Sequence, residues 1–173
     1  MAAGCTGNSQ REIEEISSQI RSILELPTFE HIYRDVVFLD RERSFLIFKT
    51  MDAELLFAIN VRIQAGIDLR DGFSVVRTRR QGLTVQLPPA KILLADADEE
   101  SIEQYFLKQV GGEISRLEYY DEINFKKEEL IADAVARGIL RRAGENARLL
   151  VQSFLENARG EPVTVVVAEG TAR

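Results

Sequence analysis

The sequence predicts an α+β protein with a curved, mostly antiparallel sheet of about six to seven strands and helices packed on one face of that sheet. Apolar and polar residues alternate with period two through residues 54–69, which is typical of a strand with one buried face. Short connections between strand-like segments favour antiparallel pairing. A helical pattern then fills residues 124–159, and a last strand follows at 161–169.

The N-terminal region is expected to consist of a flexible tether at residues 1–9 and an amphipathic helix at 10–27, ahead of a single α+β domain at 28–169. The apolar positions of the helix recur every three or four residues: Ile13, Ile16, Ile20, Ile23 and Leu24. Pro27 stops the helix. The apolar stripe must be covered by the domain, by a second copy or by another protein, so we expect self-association or a protein partner through residues 10–27.

The first half of the domain reads as strands. Segments rich in β-branched and aromatic residues, or with alternating polarity, occupy residues 31–39, 44–50, 54–69, 73–79, 83–87 and 90–97. Gly82 supplies the turn of a hairpin between 73–79 and 83–87. Pro88 and Pro89 end that ladder.

The second half reads as helices. Asp96 or Asp98 is expected to cap a helix that runs to about Val110. Residues 113–123 form a helical or irregular link. The pattern from 124 to 159 indicates one long helix or two helices broken near Gly138.

Composition excludes several classes of protein. A net charge of −6 argues against a nucleic-acid partner, because phosphate contacts need a clustered positive face. The single cysteine cannot form an internal disulfide. No apolar run approaches the ~20 residues that a membrane helix requires. No motif predicts a cofactor.

That cysteine, Cys5, follows Ala3 and Gly4, and the three residues resemble the end of a bacterial lipobox. We therefore expect lipidation of Cys5 and a membrane anchor at the N-terminus. The alternative is a free thiol in a disordered tail.

Few side chains suggest a reactive or binding site. His31 is the only histidine, and one histidine with one cysteine cannot supply an ordinary zinc site, so a structural role is favoured. The carboxylates between residues 96 and 100 are better explained as helix caps than as a cation loop. Asp68 and Asp71 flank a turn, where aspartate commonly binds its own backbone. Tyr119 and Tyr120 favour packing over a pocket.

Arginines provide one candidate site for anions. Arg77, Arg79 and Arg80 lie at the predicted hairpin, where guanidinium groups can hold a phosphate, a carboxylate or an anionic lipid headgroup. The alternative is a hairpin tip that carries solvated charge. Arg141 and Arg142 are expected to pair with Glu145 on one helix.

Several segments, in order, resemble the domain of unknown function family 4230 over about residues 30–168. They are "HIYRDVVFLD" near the start, "AGIDL" at 65–69, "VQLPPAKIL" at 85–93, "DADEESIEQY" at 96–105, and "GIL" with spaced alanines at 138–147. The resemblance implies a bacterial protein that carries an N-terminal membrane helix or lipoprotein signal. It implies no activity, cofactor or catalytic residue.

The sequence therefore favours a non-enzymatic protein of the bacterial cell envelope, anchored through lipid at Cys5, that acts as a protein-interaction or scaffolding module. A cytoplasmic location is the alternative to the envelope. The alternative function is a small-molecule or lipid-binding module with a pocket between sheet and helices, and an enzyme is the third.

Overall fold

The computed structural model describes residues 6–21, 25–45, 48–78 and 82–170. Three α-helices and six strands lie in this part of the chain, and their order confirms the predicted α+β class. The helices are α1 (Thr6–Arg21), α2 (Arg116–Ala136) and α3 (Ile139–Arg159). The strands are β1 (Glu25–Phe45), β2 (Phe48–Asp68), β3 (Ser74–Thr78), β4 (Gly82–Leu87), β5 (Ala90–Val110) and β6 (Val163–Val167).

The predicted single sheet is wrong. The described strands form two three-stranded sheets, with the orders β1-β2-β5 and β3-β4-β6. In the second sheet, β3 pairs with β4 antiparallel, which confirms the predicted hairpin. β6 joins β4 in parallel, with Leu83 opposite Val163 and Leu87 opposite Val167. Among the described strands, the long strands β1, β2 and β5 pair with one another and not with β3, β4 or β6.

The predicted helix from Asp96 to Val110 is also wrong, because β5 continues to Val110. This segment is rich in Glu, Gln, Leu and Lys, which favour helix locally. Pairing with β2 outweighs that preference. The Oγ of Ser101, for example, accepts a hydrogen bond from the backbone N–H of Asn60 at 2.8 Å.

Several other boundaries differ from the predicted ones. The predicted turn at residues 40–43 lies inside β1, and the predicted break at 51–53 lies inside β2. α1 begins at Thr6, so residues 6–9 of the expected tether are helical, and it ends at Arg21. Pro27 lies in β1, an outer strand of its sheet, where proline is tolerated. The expected break near Gly138 is confirmed, since α2 ends at Ala136 and α3 begins at Ile139.

The chain forms two compact units. The first contains the described residues of Met1–Glu30, Gln64–Leu93 and Gly138–Arg173. Its core is a cluster of buried aliphatic side chains from α1, the end of β2, β4, α3 and β6: Ile16, Ile20, Ile67, Leu69, Leu83, Val85, Leu87, Ala147, Leu155, Val163 and Val165. Ile16 and Ile20 are buried there, so this part of the α1 stripe is covered by the chain's own core.

The second unit contains His31–Ile63 and Leu94–Arg137. Alternate residues of β2, from Leu55 to Ile63, are buried. The rings of Phe57 and Tyr119 lie 4.9 Å apart, which packs α2 against β2. Ile123, Leu130 and Ala134 are the buried residues of α2. This unit is thus a strand layer against which the buried side of one helix packs.

Candidate functional site

Of the arginines predicted to bind an anion, the structure describes Arg77 alone, and its guanidinium is engaged by a carboxylate. Arg77 forms a bidentate ion pair with the carboxylate of Glu161, to which it donates hydrogen bonds from Nη1 at 3.2 Å and from Nη2. The Arg77 hydrogen bond lowers the pKa of Glu161, so the carboxylate stays ionised and occupies the guanidinium. Arg79 and Arg80 lie outside the described residues, and so does Cys5.

The other candidate side chains have structural partners. The His31 ring lies 4.4 Å from the ring of Tyr33 in an edge-to-face contact. The hydroxyl of Tyr120 donates to Glu99 at 3.3 Å. Arg141 Nη1 donates to Glu145 at 2.9 Å, which confirms the expected pair. Arg142 instead lies over the ring of Phe29, with its guanidinium carbon 5.7 Å from the ring centre.

Metal binding has no geometric support in the described ranges. Within them, no three side chains of histidine, cysteine, aspartate or glutamate converge as a metal site would require. Asp96, Asp98, Glu99 and Glu100 lie along β5, where successive side chains point to opposite faces. Asp98 accepts a backbone hydrogen bond from Glu100 at 3.2 Å, which shapes the strand locally.

A cluster of charges does surround Asp68, a buried carboxylate at the end of β2. Asp68 accepts hydrogen bonds from the backbone N–H of Arg70 at 3.0 Å and from its Nε and Nη2, each at 2.8 Å. Lys91 Nζ lies 2.8 Å from Asp68 and 2.9 Å from Asp71. Arg70 also contacts Glu25. The hydrogen bond from the backbone of Arg70 to Asp68 confirms the expected turn. The ion pairs that involve Glu25 of β1 and Lys91 of β5 were not predicted.

The electrostatics of this cluster hold Asp68 in its ionised form. Hydrogen bonds from Arg70, and then from Lys91, hold the pKa of Asp68 well below its ordinary value. The hydrogen bond to Asp68 raises the pKa of Lys91. Near neutral pH the carboxylate stays ionised and the ammonium stays protonated, so neither group is poised to exchange a proton. The cluster fixes the start of β1 and the start of β5 to the end of β2.

A groove of about 680 Å³ lies in the first unit. We call it the α3–β6 groove. Most of its lining is contributed by one side of α3 and by the end of β6 with the residues after it: Ala90, Leu140, Arg141, Gly144, Glu145, Arg148, Val165, Val166, Val167, Ala168, Glu169 and Gly170.

Local sequence explains why α3 and β6 face each other. Gly138 and Gly160 adopt left-handed conformations at the two ends of α3, with φ of 82° and 67°. Only residues 160–162 join α3 to β6, so the strand runs back along the helix. The backbone N–H of Val163 donates to Glu156 at 3.2 Å, whereas a side chain at Gly144 would contact Val167. The early part of the helix therefore faces the late part of the strand.

β6 presents an open edge to this groove. The N–H of Ala168 donates to the carbonyl of Leu87 at 3.0 Å, so the even-numbered residues of β6 direct their peptide groups toward β4. The peptide groups of Val163, Val165 and Val167 therefore point away from β4, to the unpaired side of β6. The Val163 N–H is taken by Glu156. Within the described residues, no hydrogen bond reaches the N–H of Val165 or Val167 from that side.

The sequence predicts a last strand and a glycine break and leaves open a pocket between sheet and helices, but no pattern in it singles out Gly144, Arg148 or the edge of β6. The available signal was the short link at 160–162 between an alanine-spaced helix and a valine-rich strand, which places the two elements side by side.

A second apolar surface lies on β1 in the other unit. Ile32, Val36 and Phe38 alternate with the buried Val37 and Leu39 and are about half exposed. Arg34 shares this face and pairs with Glu103. The α3–β6 groove combines apolar lining with the N–H groups of Val165 and Val167, whereas the surface on β1 offers apolar side chains around the Arg34–Glu103 pair.

Among the described helices, none combines the length and the apolar character that crossing a membrane demands. The sequence matches the family described as protein of unknown function (DUF4230) over residues 18–165, and the chain belongs to that family. The resemblance found in the sequence motifs is thereby confirmed. Comparison with curated proteins and with solved structures finds no match.

Proposed function

We propose that this member of the DUF4230 family is a non-enzymatic protein-interaction module that binds an extended peptide segment of a partner in the α3–β6 groove. The observation that carries the proposal is the open edge of β6 beside a helix. An extended peptide can add to such an edge as a further strand and place alternate side chains between strand and helix. Main-chain hydrogen bonds then supply affinity, and the groove supplies selectivity.

The composition of the edge supports this function. Exposed strand edges invite pairing with other chains, and proteins commonly protect them with lysine, proline or a bulge. β6 reads Val-Thr-Val-Val-Val, without any of these protections. Its sequence therefore suits an edge that is kept available for a partner.

The test is selection from random peptide libraries of about seven residues, longer than the groove in extended form. One library displays a free C-terminus, and the other is fused through its C-terminus. Enrichment of related peptides in either format supports the proposal. In amide hydrogen exchange followed by NMR, the bound peptide should protect Val165 and Val167. Thr164 and Val166, whose peptide groups already face β4, serve as internal controls.

Two variants locate binding in the groove. Gly144→Val places a branched side chain between α3 and β6 beside the groove and, once circular dichroism has shown the variant to be folded, should abolish binding of the selected peptide. Val76→Ala changes an exposed residue of β3 outside the groove lining and should bind normally. Failure of both libraries to enrich a sequence, or protection of amides away from β6, would refute this function.

We further propose that the protein resides in the bacterial cell envelope, anchored by lipid on Cys5. Small residues before the only cysteine support this location. The gene expressed with its native upstream sequence should yield a protein that incorporates a labelled fatty acid, and Cys5→Ser should abolish the label. An unlabelled wild-type protein would contradict the anchor. An envelope location suits a scaffolding role, since a tethered module meets its partners at high local concentration.

A small-molecule or lipid-binding role is the alternative. It is favoured by the size of the groove, because about 680 Å³ is in the range of ligand pockets, and by its valine, leucine and alanine lining. Native mass spectrometry of the purified protein distinguishes the two functions. A bound lipid that Gly144→Val removes would favour this alternative over peptide binding.

A further inference from the structure

We propose that the α3–β6 groove binds the free C-terminal tail of a partner protein, which lies antiparallel to β6 with its terminal carboxylate on Arg148. This inference rests on the proposed peptide-binding function and specifies which kind of segment is bound and in which direction. It follows from the shape of the two ends of the groove and from the distribution of charge between them.

One end of the groove, which we call the closed end, adjoins a part of the β6 edge that is already occupied. At that end the carboxylate of Glu156 accepts hydrogen bonds from the N–H of Val163 at 3.2 Å and from Nε2 of Gln152 at 3.0 Å. A strand pairing with β6 can use Val165 and Val167, but it cannot continue past Val163 without displacing Glu156. An added strand therefore has to end near Val165, which favours a chain terminus over an internal segment.

The distribution of charge indicates which terminus of the bound tail lies at the closed end of the groove. Arg148 belongs to the part of α3 nearest the closed end, about 10 Å along the helix axis from Arg141. Its Nη1 donates to the neutral side-chain oxygen of Gln152 at 3.2 Å, and no ion pair joins it to a carboxylate in the described part of the chain. Glu145 lies one turn away, but its carboxylate is engaged by Arg141.

The open end carries the opposite charge. Glu169 lines the groove beyond the end of β6, and no ion pair is seen for it within the described ranges. A carboxylate at the open end would be repelled by Glu169. At the closed end the carboxylate of Glu156 is engaged by the Val163 N–H and by Gln152, and Arg148, which has no carboxylate partner among the described residues, supplies a positive charge for a terminal carboxylate. A tail whose C-terminus lies at the closed end runs opposite to β6 and leaves the groove past Glu169.

The apolar part of the groove defines the rest of the ligand. A β-carbon at Gly144 would lie 3.6 Å from Cγ1 of Val167 and 3.8 Å from Cβ of Ala90, so the absent side chain leaves a shallow apolar depression. Leu140 and Val165 extend the apolar lining on either side. Residues 165–169 span about 13 Å in extended form, which accommodates four or five residues of the tail. Aliphatic side chains at alternate positions suit this lining.

The experiment compares the best peptide from the free C-terminus library with the same peptide bearing a C-terminal amide. Fluorescence anisotropy measures both against the wild-type protein. We expect the amide to bind about 10-fold or more weakly, because it loses a charge-assisted hydrogen bond to Arg148. The substitution Arg148→Gln should weaken binding of the free acid by a similar factor. The variant protein should then bind the free acid and the amide with about equal affinity.

Arg142→Gln is the matched control. It removes the same charge from the same helix, but from a residue outside the groove lining whose guanidinium lies over the ring of Phe29. It should change the affinity by less than about twofold. Circular dichroism of each variant confirms that it is folded. A paramagnetic label on the N-terminus of the peptide should broaden amide signals near Glu169 and not those near Val163.

The outcomes separate this inference from the function on which it rests. If the C-terminally fused library also yields groove-binding peptides, or if the amide binds as well as the acid, the groove binds peptides but the carboxylate assignment is wrong. Equal effects of Arg148→Gln and Arg142→Gln also overturn it. If neither library yields a binder, peptide binding itself fails.

Discussion

Gly144 allows the packing of α3 on β6 to be tested by a substitution that adds a single methyl group. The residue is buried, and it lies within α3 rather than at either end of it. At such positions glycine is disfavoured relative to alanine by about 1 kcal/mol. An added Cβ would meet its nearest neighbours at 3.6 and 3.8 Å, which are ordinary van der Waals contacts. Gly144→Ala should therefore relieve the backbone penalty without a clash.

We expect Gly144→Ala to raise the free energy of unfolding by about 1–1.5 kcal/mol, with the contact of the new methyl group adding to the backbone gain. For a protein of this length, the melting temperature rises by about 2–6 °C. Urea unfolding followed by circular dichroism measures the free energy, and scanning calorimetry measures the melting temperature.

Gly160 provides the matched control for this prediction. No atom lies within 4 Å of a Cβ built there, but its φ is +67°. Alanine in this left-handed conformation costs about 1–2 kcal/mol, so Gly160→Ala should be destabilising although it has more room. If Gly144→Ala destabilises the protein, or if both substitutions act in the same direction, the spacing assigned between α3 and β6 is wrong.

Two further predictions concern stability. The pKa values of Asp68, Glu156 and Glu161 are all lowered by hydrogen bonds in the folded state, from ordinary values of 3.8, 4.5 and 4.5. Their stabilisation is complete above these values and is lost as the pH falls through the folded pKa values, so the urea midpoint should drop steeply below about pH 4. Asp68→Asn should make that dependence shallower, and an unchanged slope would contradict the assignment. Leu155→Ala, at a core position 1% exposed, should cost about 2–5 kcal/mol, whereas Leu150→Ala, 55% exposed, should cost less than about 0.5 kcal/mol in the same unfolding assay. Similar costs would mean that the buried side of α3 is misassigned.

Patterns confined to neighbouring residues predicted their own structure well. The hairpin of β3 and β4 followed from two strand-like segments around Gly82, and the break between α2 and α3 followed from Gly138. The alternation from Phe57 to Ile67 predicted the buried face of β2. Each of these features is determined by side-chain periodicity or by the backbone freedom of glycine, both of which are local properties.

The errors arose where a distant partner decided the conformation. The segment after Asp96 has the composition of a helix, but pairing with β2 makes it a strand. The charges at residues 40–43 resemble a turn, yet the strand continues through them. Backbone hydrogen bonds to a neighbouring strand stabilise the strand conformation of a segment whose local preference is helix or turn. The pattern of nearby residues does not show which distant segment will supply those hydrogen bonds.

The amino-acid sequence by itself determined the α+β class, the family, the hairpin, the glycine-delimited helix α3 and the valine-rich last strand. The tertiary structure alone decided that the strands divide into two sheets, that Asp68 gathers Arg70 and Lys91 around it, and that one edge of β6 is left open beside Gly144 and Arg148. The periodicity of apolar and polar residues is a property of neighbouring residues and can be recognised in the sequence. Sheet partners and the lining of a groove depend instead on contacts between residues far apart in the chain.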